Sequence, residues 1–245
     1  MSKQTSLWRA YTPVGATYAP LLSDNETDVT IIGAGFTGLT TALQLTKAGN
    51  SVTVLEAKEV GYGASGRNNG QVIPVLTRAD PEMLTTRFGE AGERFVQLIG
   101  GSAAFLFKLV REHALECEAE QTGWIQPAHS PGRFQSVSEK RFRQWEKYGA
   151  DFELIEKAEL DRRIGSNFFF GGFGNRTGGH INPLALTREL ARVGAENGAV
   201  IHEKSPALSY TQEGDGWRVT TPRGVLRSRA LVIATNERPT TTQVT

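Results

Sequence analysis

Gly33, Gly35 and Gly38 stand in the spacing G-x-G-x-x-G, inside TIIGAGFTGLTT (residues 30–41), where an apolar strand runs through a glycine turn into a helix. That context gives the spacing a chemistry. Gly33 permits a tight turn, Gly35 lets a diphosphate approach the backbone, and Gly38 lets helix and strand pack closely. The free N–H groups of the first helical turn then face the phosphates, assisted by the helix dipole. Glu56, at the end of the next strand, can accept hydrogen bonds from ribose hydroxyls, and its charge disfavours a 2′-phosphate. These are the parts of a dinucleotide cradle. They do not separate NAD from FAD.

The elements that must position these residues form a βαβ unit. Residues 28–32 read as a short buried strand, 37–48 as a helix closed by Gly49 and Asn50, and SVTVLE as a second strand ending at Glu56. About thirty residues suffice for such a unit, whose right-handed crossover puts the glycine turn at the carboxyl edge of the sheet. A second glycine-rich segment, GYGASGRNNGQ (residues 61–71), offers closely spaced backbone donors and the polar side chains of Ser65, Arg67, Asn68, Asn69 and Gln71. It reads equally as a path along a ribityl chain toward a flavin ring and as a surface loop with capping Ser and Asn.

Further on, a helical pattern covers residues 81–115, with Gly100 and Gly101 marking a kink. GWIQPA reads as a strand, and SVSEKRFRQWEKYG as a charged, solvated helix opened by a capping box from Ser136 to Glu139. Asn182 and Pro183 open another helix and Gly198 stops it. PALSYTQ, GWRVTTP and RGVLRS are short strands separated by turns, leading into the apolar strand ALVIATN.

The 245 residues allow one large or two modest domains. With 39% hydrophobic and 22% charged residues the composition is that of an ordinary globular protein. A formal net charge of +1 supplies no field for nucleic acid or an anionic membrane. The N-terminal residues, with Trp8, Tyr11 and Tyr18 among polar residues, lack the apolar run of a signal peptide or membrane span and are expected as an extended surface arm. The single cysteine, Cys117, excludes an intramolecular disulfide and fits a reducing compartment, so a cytoplasmic protein is expected.

The stretch DVTIIGAGFTGLTTALQLTKAGNSVTVLEAKEVGYGASGRNNGQV resembles the N-terminal signature of FAD-dependent oxidoreductases of the D-amino-acid-oxidase superfamily, within it the gamma-glutamylputrescine oxidoreductase-like group. The likeness continues more diffusely through GWIQPA, GGHINPLAL, GAVIHEKSPALSY and LVIATN. The resemblance implies that Gly33, Gly35, Thr37 and Gly38 hold the pyrophosphate, and that Glu56 and Lys58 meet the adenosine ribose. It implies that Ala64, Ser65, Arg67, Asn69, Gly70 and Gln71 follow the cofactor toward its isoalloxazine end. Ala207 would give a backbone contact to adenine, and Thr235 and Asn236 would sit near the pyrophosphate. Asn69 stands where relatives usually carry glycine. Two branches of the family attach the flavin covalently; with no His in residues 61–71 and Cys117 elsewhere, non-covalent FAD is expected.

The family's chemistry removes a hydride equivalent from the carbon next to an amine nitrogen, so the expected substrate is a small amine or amino acid, for example a gamma-glutamyl-amine. No catalytic residue is assigned. His180, in GGHINP, reads as a turn or helix-entry residue, and His113, His129 and His202 show no metal-ligand spacing. FFFGGF (residues 168–173) reads either as a pocket wall or as a buried strand. The expected fold is α/β: a Rossmann-like, glutathione-reductase-type FAD domain with a small antiparallel meander (28–75 and 181–236), interrupted by part of an α+β substrate domain (76–180), with an arm (1–27) and a polar tail (237–245). The resemblance further implies that relatives continue well beyond this length. The chain is then either the N-terminal part of an enzyme, its other half following or supplied by a partner, or a truncated, non-catalytic nucleotide-binding remnant or interaction module.

Overall fold

The computed structural model describes residues 6–76, 79–148, 151–235 and 243–244. Along the chain run α1 (Leu7–Tyr11), β1 (Asn25–Ile32), α2 (Phe36–Lys47), β2 (Val52–Leu55), β3 (Gln71–Val72), α3 (Pro81–Glu112), β4 (Trp124–Pro127), α4 (Pro131–Arg133), α5 (Lys140–Glu146), β5 (Phe152–Ile155), α6 (Lys157–Ile164), β6 (Gly172–Asn175), β7 (Gly179–His180), α7 (Pro183–Glu196), β8 (Val200–His202), β9 (Ser209–Glu213), β10 (Gly216–Thr220), β11 (Val225–Ile233) and β12 (Gln243–Val244). Two compact units result: one from the residues up to Asn69, Leu115–Cys117 and those from Asn182 onward, the other from Gly70–Ala114 and Glu118–Ile181.

The first unit is an α/β, Rossmann-like layer structure. Its sheet has the order β12-β9-β10-β11-β1-β2-β8. β11, β1, β2 and β8 are parallel, with Ile31 beside both Val54 and Val232, while β9, β10 and β11 form the antiparallel meander. A parallel strand covered on both faces has no solvent side, which is why Val29, Thr30, Ile31 and Ile32 are all buried, as is the whole of β2. α2 buries Gly38, Leu39, Ala42 and Leu43 and packs on α7. Asn182 caps α7 by accepting from the Ala185 N–H at 3.1 Å, Pro183 takes the first helical position, and Gly198 leaves the helix at φ 97°.

Several expectations change in this unit. RGVLRS and ALVIATN are one nine-residue strand, β11, rather than two. The N-terminal segment is not wholly extended: Ser6 accepts from the Arg9 N–H and starts the short helix α1. The buried Glu203 then holds the following residues in place, its carboxylate accepting from the Tyr18 N–H at 3.2 Å and the Val60 N–H at 2.8 Å.

The second unit is α+β. β4, β6 and β5 pair antiparallel, as do β3 and β7. Its core holds Val75, Val96, Trp145, Phe152 and Phe173, with the rings of Phe152 and Phe173 stacked at 5.0 Å. Of FFFGGF, Phe173 is in this core while Phe168 and Phe170 are exposed. α3 breaks at Gly89 (φ 54°, ψ −132°), whereas Gly100 and Gly101 stay helical; glycine permits a break but does not impose one. The charged helix starts earlier than its capping-box pattern suggests. Ser130 is the cap and Pro131 the first residue, so Ser136 and Glu139 lie inside the helical run. Nor is that helix wholly solvated, because Arg141 is buried and pairs with Asp80 at 3.1 Å.

On β5, Glu153 accepts from Arg163 at 2.6 Å and Arg176 at 3.4 Å. The Arg163 hydrogen bonds hold its carboxyl below the usual range, outweighing burial, and Arg176 adds to the pull. A depressed carboxylate contributes stability that is complete above the ordinary glutamate pKa of about 4.3 and is lost as pH falls through the lowered value. Thermal melts between pH 7 and 3 are therefore expected to show a shallower acid decline for Glu153→Gln than for the unsubstituted protein. Parallel declines would show that this cluster does not contribute.

Candidate functional site

The carboxyl ends of β1, β2 and β11 meet at a cleft of about 480 Å3, bounded by residues 33–37, 56–58, 62–65 and 233–235. Gly33 donates from its N–H to the Leu55 carbonyl at 2.8 Å and turns the chain at φ 109°, a left-handed angle that a side chain resists. A Cβ at Gly38 would lie 2.0 Å from the Gly33 carbonyl oxygen, so the first turn of α2 can rest on the end of β1 only without one. Gly35 caps α2 and, having no side chain, cannot close the helix end itself. Ser65 does so from the neighbouring loop: its Oγ accepts from the Phe36 N–H at 3.0 Å. A capping Ser in this loop was one of the two readings of the sequence; what the sequence did not give is which helix it caps, and the signal for that was the cap position of α2 occupied by glycine.

Glu56 reaches across from β2. One carboxylate oxygen accepts from the Ala34 N–H at 2.9 Å and the other from the Lys58 N–H at 3.0 Å. A carboxylate offers about four acceptor positions, so both oxygens keep capacity for hydroxyl donors. Lys58 points its Nζ to the Tyr62 Oη at 2.9 Å and lies 4.0 Å from the ring centroid, while the Arg67 guanidinium lies 4.3 Å from that ring. The hydrogen bond from Lys58, followed by that from Arg67, lowers the Tyr62 phenol below its ordinary pKa.

Of the residues singled out from sequence, Gly33, Gly35, Thr37, Glu56, Lys58, Ala64, Ser65 and Thr235 border the cleft, with Gly38 buried below it. Arg67 lines a different cavity. Asn69 is exposed and has no left-handed backbone; that angle falls on Gly70, at φ 74°. Gly70 and Gln71 belong to the second unit, where Gln71 pairs with His180. Ala207 is packed in the core with Leu21, Ile32, Leu55, Val219 and Leu226 and does not border the cleft. Asn236 lies outside the described residues. His180 is exposed beside Glu120, and among the described residues no group of His, Cys, Asp or Glu could hold a metal ion.

The arrangement can hold a dinucleotide. Backbone close to solvent at Gly33 and Gly35, a helix N-terminus, and a carboxylate with spare acceptor capacity fit the adenosine diphosphate half of FAD. Comparisons with known proteins agree. A family described as FAD dependent oxidoreductase (DAO) matches residues 28–239. Gamma-glutamylputrescine oxidoreductase of Escherichia coli (strain K12) is 30% identical over 241 residues, spanning 96% of this chain and 55% of that protein. Glycine oxidase from Geobacillus kaustophilus superposes with a TM-score of 0.74 at 21% identity, over 86% of this chain and 55% of that one. L-alpha-glycerophosphate oxidase from Mycoplasma pneumoniae, with FAD bound, superposes with a TM-score of 0.69 at 16% identity, over 84% of this chain and 53% of that one. The chain thus spans about half the length of these relatives.

The two small-residue contacts differ in kind. At Gly38 an added Cβ meets backbone, while at Gly35 it meets the tip of the Ser65 side chain at 2.8 Å, which can rotate away. Gly38→Ala is expected to cost about 1–3 kcal/mol in urea denaturation, and Gly35→Ala less than Gly38→Ala. Equal stability of Gly38→Ala and the unsubstituted protein would contradict the contact.

Proposed function

The chain belongs to the FAD dependent oxidoreductase (DAO) family, and we propose that it holds FAD non-covalently as the nucleotide-binding part of an enzyme oxidising the C–N bond of a small amine or amino acid. The observation that carries this reading is the cleft at the carboxyl ends of β1, β2 and β11, with Glu56 fixed at its rim by the Ala34 and Lys58 amides.

Within it, Gly33 and Gly35 bring backbone to the diphosphate, and Thr37 and Thr235 border the same space. Glu56 takes the ribose hydroxyls with its remaining acceptor positions, and Lys58 stands beside it. Ala64 and Ser65 border the same cleft. Gly38, Arg67, Asn69, Gly70, Gln71, Ala207 and Asn236 complete the set that the family resemblance implies. When bound, FAD accepts a hydride equivalent from the carbon beside the substrate nitrogen, leaving an imine that water hydrolyses. Orientation and electrostatics are the protein's part. Gamma-glutamylputrescine oxidoreductase and glycine oxidase, by their names, act on an amine and an amino acid, which supports a substrate of that class. A buried single cysteine is consistent with work in the cytoplasm. Among the described residues no helix is long and apolar enough to cross a membrane. Since the chain spans about half of its relatives, a nucleotide-binding module without catalysis is the second reading.

The visible absorption spectrum of the purified protein with and without added FAD tests the proposal. Shifted, structured flavin bands are expected, with all flavin released by acid precipitation. Glu56→Gln should weaken FAD binding by about ten-fold or more, the loss of one charged hydrogen-bond acceptor. Bleaching by amines or amino acids would identify the enzyme, and flavin binding without bleaching the module. An unperturbed FAD spectrum would overturn both.

A further inference from the structure

Tyr62 borders a second cavity in the first unit, of about 430 Å3, whose lining includes Ser6, Arg9, Arg67 and Arg188. Three guanidinium groups face one small volume. Arg9 is neutralised by an ion pair with Glu59. Among the described residues neither Arg67 nor Arg188 forms an ion pair. Arg188 is half-buried, and through Nη1 alone it donates to the Pro13 and Thr12 carbonyls, leaving Nε and Nη2 without a protein partner there. Burial, and then repulsion from Arg9, lowers its pKa, with Glu203 pulling the other way. Such a guanidinium gains from a bound anion what it has lost from water. The Ser6 Oγ accepts from the Arg9 N–H, so its own hydroxyl proton remains available. The Arg67 guanidinium lies over the Tyr62 ring, 4.3 Å from its centroid, a cation–π contact that restrains the fork.

We propose that this cavity is a binding site for a small organic anion carrying carboxylate or phosphate groups, separate from the nucleotide cleft. Planar guanidinium forks pair with both groups in two-pronged fashion, and the uncompensated charge is that of two cations. The volume is in the range of small-metabolite sites, roughly 300–1,000 Å3. The proposal does not rest on the chain being an oxidoreductase, and the two fail separately.

Isothermal titration of the protein with inorganic phosphate and with succinate, each against chloride at matched ionic strength and repeated with saturating FAD, tests it. Saturable binding of phosphate or succinate at about 1 mM or tighter is expected, and the tighter probe assigns the ligand to phosphate esters or to carboxylates. Arg188→Gln and Arg67→Gln should each weaken it about ten-fold, one charged hydrogen bond's worth. Arg67→Gln keeps the test open if loss of the Arg188 bonds to the N-terminal segment unfolds the other variant, which circular dichroism would reveal. Arg218→Gln, on β10 and bordering neither cavity, should leave the affinity unchanged. Binding no stronger than chloride, equal loss in Arg218→Gln, or displacement of the anion by FAD would each overturn the site.

Discussion

Everything at the cleft depends on how closely α2 approaches the end of β1. The position of a Cβ at Gly38 lies 2.0 Å from the Gly33 carbonyl oxygen, well inside van der Waals contact. Only glycine allows that approach, and the approach decides where the first turn of α2 points. Once it is set, Gly33 can bond to Leu55 on β2, which fixes the end of β2 and brings Glu56 within reach of the Ala34 amide. The carboxylate and the glycine turn therefore hold each other. A change at one is felt at the other through two short hydrogen bonds rather than through a diffuse core.

The same contact explains why the loop after β2 matters as much as the glycine turn. A helix begun at glycine leaves its end open, and the missing cap comes from Ser65. The cleft is thus closed by three segments that meet around the helix start, with Glu56 taking the Ala34 amide and Ser65 the Phe36 amide. Neutral backbone donors and a single carboxylate suit a ligand whose phosphates lie at the helix end and whose hydroxyls lie beyond it. A second cation at Glu56 would have suited a 2′-phosphate instead.

Features set by a residue's own backbone preferences could be read from the sequence. Gly33 and Gly38, the Asn182–Pro183 helix start and the Gly198 stop are of this kind, as is the apolar continuity of β1 and β2. Features set by a partner distant in sequence could not. Gly89 and the Gly100–Gly101 pair are equally free to break a helix, and their surroundings decided in favour of Gly89. Glu203 carries no local signal of burial, yet it is buried where it accepts from the Tyr18 and Val60 amides. Arg141 sat in a run of charges that reads as solvated, and Asp80, from another element, drew it inward. In the site the glycine turn and Glu56 were apparent and a capping Ser in the loop was one of two readings, whereas the helix that Ser65 caps depends on a contact distant in sequence.

Arg67 and Lys58 show how one aromatic ring can separate two electrostatic environments. Both cations lie against Tyr62, yet Lys58 borders the nucleotide cleft and Arg67 the arginine-lined cavity. A phenol is a poor counter-ion at neutral pH, even with its pKa lowered, so neither cation is neutralised there. Lys58 has Glu56 close by in sequence and in the cleft, and that side stays near balance. On the other side Glu59 is already engaged with Arg9, and Arg67 and Arg188 retain their charge. The imbalance between the two sides follows from where the two carboxylates of the β2 loop point: Glu56 inward to the glycine turn, Glu59 outward to α1.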